Sequence, residues 1–144
     1  MEDEFIAAPA PAPRVTRVGC GAAIFRDGKL LLVQRRQSPE ANHWGLPGGK
    51  VEFAEPVADA VVREIREEVG IRVADLQLLC VVDQIDHIQG EHWVAPTYTT
   101  TSFTGEPHIA EPSKHSNLGW YSLDALPHPL TWATKVAVMW LKAR

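Results

Sequence analysis

Cysteine is scarce in this chain. Its two copies, Cys20 and Cys80, both fall in apolar, strand-like runs, which predicts buried thiols rather than a disulfide or a catalytic nucleophile and fits a reducing cytoplasm. No stretch is long or apolar enough to span a membrane, and the N-terminus lacks a basic-then-apolar signal, so the expectation is a cytoplasmic protein without a membrane partner. A basic run is also missing. With a formal charge of −4, the chain has no clustered Lys and Arg to displace counterions from a polymer, which argues against polymeric nucleic acid and for a small ligand. Gly19-Cys20-Gly21 lacks the third glycine of a dinucleotide fingerprint, and a strand continues where a helix should open. His87 and His92 have no HxxxH or cysteine partner at zinc-site spacing, so ordinary strand residues are the simpler reading. No internal repeat is evident.

What remains is enough for one soluble globular α/β domain with a sizeable core: 144 residues, of which 45% are hydrophobic. Residues 1–13 begin acidic and end APAPAP, a composition that predicts an extended tail, leaving 14–144 for the domain. Val15 to Phe25 and Leu30 to Arg35 read as strands around an Asp27-Gly28 hairpin turn. Gln37 to Asn42 reads as a polar loop. Two long strands are predicted over Asp75 to His87 and His92 to Thr104, joined around Gln89-Gly90-Glu91. Gly105 to Asn117 reads as loop and Leu118 to Ser122 as a short strand. Thr131 is placed to cap a last helix through Leu141, with Val136, Val138, Met139 and Trp140 as its apolar contacts.

The central stretch runs from Trp44 to Ile71, WGLPGGKVEFAEPVADAVVREIREEVGI. Val57, Val61, Ile65 and Val69 recur every fourth residue and give a helix an apolar stripe, with Pro56 in its first turn and Gly70 as its stop. Glu64, Glu67 and Glu68 stand at i, i+3 and i+4, on one face at the rim of the core. Each like-charged pair at that spacing costs an isolated helix about 0.2 to 0.5 kcal/mol. A hard divalent cation, which prefers oxygen ligands, would relieve the repulsion; a solvated charged face is the plainer alternative. The flanking Gly48 and Gly49 favour the cation, since glycine permits a backbone conformation closed to other residues and brings main-chain groups close to a ligand.

Gly49, then five residues, Glu55, then seven residues and Arg63-Glu64-Ile65-Arg66-Glu67-Glu68-Val69-Gly70-Ile71, resembles the complete box of the Nudix hydrolases at all nine specified positions. The box covers about a fifth of the chain, and the flanking strand pattern is similar to that of the family's single domain. The resemblance implies an α/β/α sandwich with a mixed sheet, the carboxylate helix on one face and the C-terminal helix on the other. It also implies Mg²⁺, for which Mn²⁺ can substitute, and hydrolysis of a pyrophosphate bond in a nucleoside diphosphate linked to a further group. By motif position, Glu67, Glu68 and the carbonyl of Gly48 are metal ligands, and Glu64 is a ligand or a base toward water. Arg63 holds Glu67, and Glu55 either orients that arginine or the metal shell or serves as a plain N-cap. A distal loop carboxylate joins the metal in some members; Glu111 is the candidate here and Glu106 the reserve. Trp44 and Trp132 could stack on a nucleobase or pack in the core, and His87 could line the substrate pocket.

Substrate patterns are partly negative. The proline of ADP-ribose hydrolases is missing, with Asp86 and His87 in that region, and Tyr98 lies too far along for a dinucleoside polyphosphate hydrolase. Residues 110–132, AEPSKHSNLGWYSLDALPHPLTW, are similar to the C-terminal half of nucleoside-triphosphate-directed members. The expected reaction is therefore (d)NTP or oxidised dNTP to NMP and pyrophosphate. ADP-ribose, a nucleotide sugar or a pterin triphosphate is the alternative substrate, and a non-catalytic nucleotide sensor is the alternative class. The family's frequent homodimers extend that expectation to this chain, although no stretch marks an interface.

Overall fold

Alternation along two strands builds the layers. In β1 (Thr16–Arg26) Cys20, Ala22 and Ile24 face one core cluster and Ala23 the other; in β2 (Lys29–Arg35) Leu31 and Val33 join the first and Leu30 and Leu32 the second. Apolar side chains on both faces are what a strand needs when helices cover both sides. The first cluster is closed by Ala60, Val61, Ile65 and Val69 of α1 (Val57–Val69), the second by Val138 and Leu141 of α2 (Trp132–Lys142). The computed structural model describes residues 14–144, so the tail expected over residues 1–13 lies outside the described residues.

The main sheet has seven strands. Its path runs β3 (Trp44–Gly45), β2, β1, β7 (Glu91–Thr100), β6 (Gln77–Asp86), with β4 (Gly48–Lys50) paired to β1 and β9 (His115–Tyr121) to β2. Only β1 and β7 run parallel within it, so the sheet is mixed and the architecture is the expected α/β/α sandwich. The Asp27-Gly28 turn joins β1 to β2 with both residues at positive φ, 53° and 76°. Cys20 and Cys80 are buried free thiols. No helix among the described residues is long and apolar enough to cross a membrane.

Four local expectations need correction. The two long strands after α1 are shorter than expected, and Arg72–Ala74 (β5) and Ser102–Thr104 (β8) instead pair with each other in a separate two-stranded sheet. The last strand begins at His115 rather than Leu118, because its backbone already pairs with Arg35 of β2 there. Pro56 is the N-cap residue, in extended conformation just outside the helix, where its carbonyl accepts the Ala60 N–H. Thr131 does cap α2, accepting the Thr134 N–H at 3.2 Å, but Met139 and Trp140 are 68% and 52% exposed. The 3.6-residue period from Thr134 turns Ala137, Val138 and Leu141 inward and those two outward.

Candidate active site

The acidic cluster is assembled from one helix, one strand and one loop. On α1 the apolar stripe fixes the helix rotation, and the glutamates follow from it at graded depth. Glu68 is 7% exposed, and the side chains of Glu64 and Glu67 are 12% and 46% exposed. Glu68 is thus a core residue rather than a rim residue. Gly48 and Gly49 on β4 lie against this face, and the Gly48 N–H donates to Glu68 Oε2 at 3.3 Å. Neither glycine has a positive φ, so the expectation of a special backbone conformation is corrected. Glycine is required by close approach: a Cβ on Gly48 would strike the Cys20 carbonyl, and one on Gly49 the Glu64 carboxylate.

Arg63 is the hub. Its Nε and one terminal nitrogen make a fork on Glu55 at 2.8 and 2.9 Å, and that same terminal nitrogen donates to the Lys50 carbonyl at 2.9 Å. The other terminal nitrogen donates to Glu64 at 2.9 Å and reaches Glu67 at 3.4 Å. Glu55 and Glu64 are therefore its principal partners, and the expected hold on Glu67 is the longest contact. Glu55 is not an N-cap; the Arg63 guanidinium, aided by the Glu52 N–H, holds its carboxyl down at about pKa 2. The same pairing pushes the Arg63 guanidinium up.

The distal loop meets the helix through its backbone. The last carbonyls of a helix lack partners inside it. Here His108 N–H donates to Val69 O at 3.0 Å and Ala110 N–H to Glu68 O at 3.1 Å, while Gly70, at φ 72°, turns the chain out. This brings Glu111 beside Glu68. Glu111 Oε2 meets Lys114 at 3.3 Å, and its Oε1 is buried without a hydrogen-bond partner. The reserve candidate Glu106 is elsewhere, clamped by Arg26 at 2.8 and 3.1 Å, with that guanidinium also lying over Trp120.

Electrostatics follow from this packing. Burial pushes the Glu68 carboxyl up to about 8; the Gly48 N–H opposes the shift, while the charges of Glu64 and Glu111 add to it. His115, absent from the sequence reading, stands next to Glu68, with Nε2 3.8 Å from Glu68 Oε2. Burial holds the pKa of its imidazole down. No spacing rule could have found it, since its partners come from α1 and from a loop that meets that helix only in the fold.

The donor set fits a hard divalent cation. Glu64, Glu67, Glu68 and Glu111 could supply carboxylate oxygens and the Gly48 carbonyl a neutral one, and Glu111 Oε1 is buried with no hydrogen-bond partner of its own. Among the described residues no three side chains already converge as a closed metal shell. Arg63 draws Glu64 and Glu67 toward itself, so an ion competes with the guanidinium for them.

The three substrate-binding candidates are not gathered at the carboxylates. Trp44 is corrected to a core residue, 7% exposed and edge-on to Tyr121 at 5.2 Å, with no face for a base. His87 lies in the β6–β7 turn, lining a shallow groove with Arg14, Val15 and Ile85. From Thr97, level with Gly21 and Gly48, to Glu91 is six residues of strand, about 20 Å, so His87 is remote from the cluster. Trp132 heads α2, half-exposed; its ring donates to the Asp83 carbonyl at 3.1 Å and its backbone N–H to Glu40 at 2.7 Å.

The family model described as NUDIX domain matches residues 15–141. The crystal structure of a MutT NUDIX hydrolase from Burkholderia pseudomallei is 57% identical, with a TM-score of 0.87 over 88% of this chain and 98% of that one. A CTP pyrophosphohydrolase of Escherichia coli is 37% identical over 116 residues, 76% of this chain and 78% of the relative. An ADP-ribose pyrophosphatase of Methanocaldococcus jannaschii is 33% identical over 110 residues, 76% of this chain and 64% of the relative. The chain spans 61% and 64% of the length of two curated relatives that it matches.

Proposed function

Because the chain belongs to the Nudix hydrolase family, we propose that it hydrolyses a nucleoside triphosphate to the monophosphate and pyrophosphate. Residues 14–144 act as one catalytic unit. Glu64, Glu67, Glu68, Glu111 and the Gly48 carbonyl would hold Mg²⁺ or Mn²⁺. Such an ion neutralises charge on the phosphoryl oxygens and lowers the pKa of water in its shell. The observation that carries this reading is Glu68: a carboxyl packed into the core against Gly48, with two further acids around it, is stabilised as an anion only by a concentrated positive charge.

The chain's own residues prepare that charge's environment. Arg63 fixes the rotamers of Glu55 and Glu64, so the side chain expected to meet water is held rather than searching. The Lys50 carbonyl contact ties the same arginine to the strand that carries Gly48 and Gly49. Trp132 is the remaining candidate for a base contact. Thr131 N–H bonds to the Trp44 carbonyl, which ties the start of α2 to the segment that leads into Gly48. The 37% identity to a CTP pyrophosphohydrolase supports a triphosphate.

ADP-ribose is the second reading, favoured by the 33% identical relative. A panel of (d)NTPs, oxidised dNTPs, ADP-ribose and nucleotide sugars with Mg²⁺ or Mn²⁺, with products resolved by chromatography, separates the two. Monophosphate plus pyrophosphate from a triphosphate is expected. Selective release of AMP and ribose 5-phosphate from ADP-ribose would overturn the substrate assignment.

A further inference from the structure

Loop, sheet and helix meet at the head of α2, and one carboxylate joins them. Glu40, on the loop after β2, accepts the Trp132 backbone N–H on Oε2 at 2.7 Å and the Gln84 side-chain amide on Oε1 at 3.3 Å. The Trp132 indole N–H in turn donates to the carbonyl of Asp83, the neighbour of Gln84 on β6, at 3.1 Å. The ring is thereby fixed beside Gln84 and is still 51% exposed. A carboxylate only accepts, so the end of the Gln84 amide that Glu40 holds is the nitrogen. The other end, Gln84 Oε1, has no hydrogen-bond partner among the described residues and is open to solvent rather than buried. Anchoring the loop to α2 needs only the Trp132 bond; the second bond adds a fixed orientation of the amide.

We propose that Gln84 is a specificity-determining residue that selects a nucleobase bearing an exocyclic amino group, and that Glu40 is the positioning residue that leaves its oxygen as the free end. This rests on the triphosphate reading above, with Trp132 as the base contact. Stacking on an indole tolerates every base, because each has a π face, so discrimination needs a contact at the base edge. An amide oxygen accepts from the amino group of cytosine or adenine, whereas the oxo group of uracil or hypoxanthine sets acceptor against acceptor. An amide free to turn offers either end and accommodates both; one pinned by a carboxylate does not. The same frame reaches toward the acids: the Trp44 carbonyl accepts the Thr131 N–H, and the Leu46 N–H donates to Thr134 Oγ1 at 3.0 Å, two residues before Gly48.

The test compares kcat/KM of the full chain with Mg²⁺ for CTP against UTP and for ATP against ITP. In the pair it turns over better, wild type should favour the amino base about 10- to 100-fold. Gln84→Leu should bring that ratio to near one. Glu40→Gln, which can hold the Gln84 amide by either end, should also shrink it, and through KM rather than kcat. A wild-type ratio near one, a preference for the oxo base, or a ratio that survives Gln84→Leu overturns the assignment to Gln84. A ratio kept in Glu40→Gln overturns the positioning role. Absence of turnover of every triphosphate overturns the triphosphate reading and this inference with it, which separates the two failures. If Gln84→Leu does not fold, Gln84→Asn decides: an amide one methylene shorter should lose the same discrimination, and a ratio it retains refutes the proposal.

Discussion

Raising the pH should destabilise the metal-free protein through one carboxyl. Glu68 keeps its proton up to about pH 8 in the fold, whereas an unfolded chain releases it near 4.5. Between those values the native state binds more protons, so stability falls as pH rises and the loss is complete above about 8. At about 1.4 kcal/mol per pKa unit, the part of this window above pH 6.5 is worth roughly 2 kcal/mol, a sizeable share of a domain's 5 to 15. For a chain of this size that is a fall in Tm of roughly 4 to 8 °C. Other shifted groups leave the interval clean. The lowered pKa of His115 acts below 6.5 with the opposite slope, Glu55 titrates near 2, and Cys20 is pushed up to about 11. Thermal melts in a chelator from pH 6.5 to 8.5 should show the fall for wild type and a flat profile for Glu68→Gln. Divalent cation should restore the wild type at high pH. Its binding near pH 7 should release close to one proton, read by calorimetry in buffers of different ionisation enthalpy. Parallel profiles for the two proteins, with no proton release, would refute the placement of Glu68 as a buried, cation-seeking acid.

Removing the hub should misalign the acids without unfolding the chain: Arg63→Ala should lower kcat about 10- to 100-fold, and NMR titration should find Glu55 returning from about 2 to the ordinary carboxylate range. Persistence of that low value would sink the hub assignment. The loop acids should separate cleanly, with Glu111→Gln weakening Mn²⁺ binding by calorimetry and Glu106→Gln leaving it unchanged, since the latter is occupied by Arg26. Equal effects would contradict the geometry. Trp132→Ala should raise KM several-fold with kcat largely kept if the half-exposed ring holds a base; an unchanged KM in steady-state kinetics removes it from the site.

Much of this was legible where local signals agree. The α1 stripe with its Gly70 stop, the Thr131 cap and the Asp27-Gly28 turn rest on neighbours in sequence, and the structure keeps each. Elements with remote partners were not legible. Arg72–Ala74 and Ser102–Thr104 are three residues each, too short to show a period, and exist only because they pair. Met139 and Trp140 illustrate that apolar residues need not be inside, and Trp44 that an aromatic in a glycine-rich stretch need not be outside. In the site, the box glutamates follow from helix geometry, whereas Glu111 arrives through backbone bonds and His115 through strand pairing with β2. Neither route leaves a spacing to read.

The zippering of the distal loop onto the end of α1 sets what can be rebuilt. His108 and Ala110 stand where a helix otherwise needs solvent or a cap, so the segment to Glu111 is a rigid insert whose register is counted from Gly70. A designer could lengthen the chain at Gly105 to Pro107 and keep the acid in place, whereas Pro112 and Ser113 lie inside the turn that Lys114 and His115 close onto the Glu111 carbonyl. One residue added between His108 and Glu111 would move it away from Glu68. Transplanting Glu111 to another scaffold therefore means transplanting the helix terminus with it.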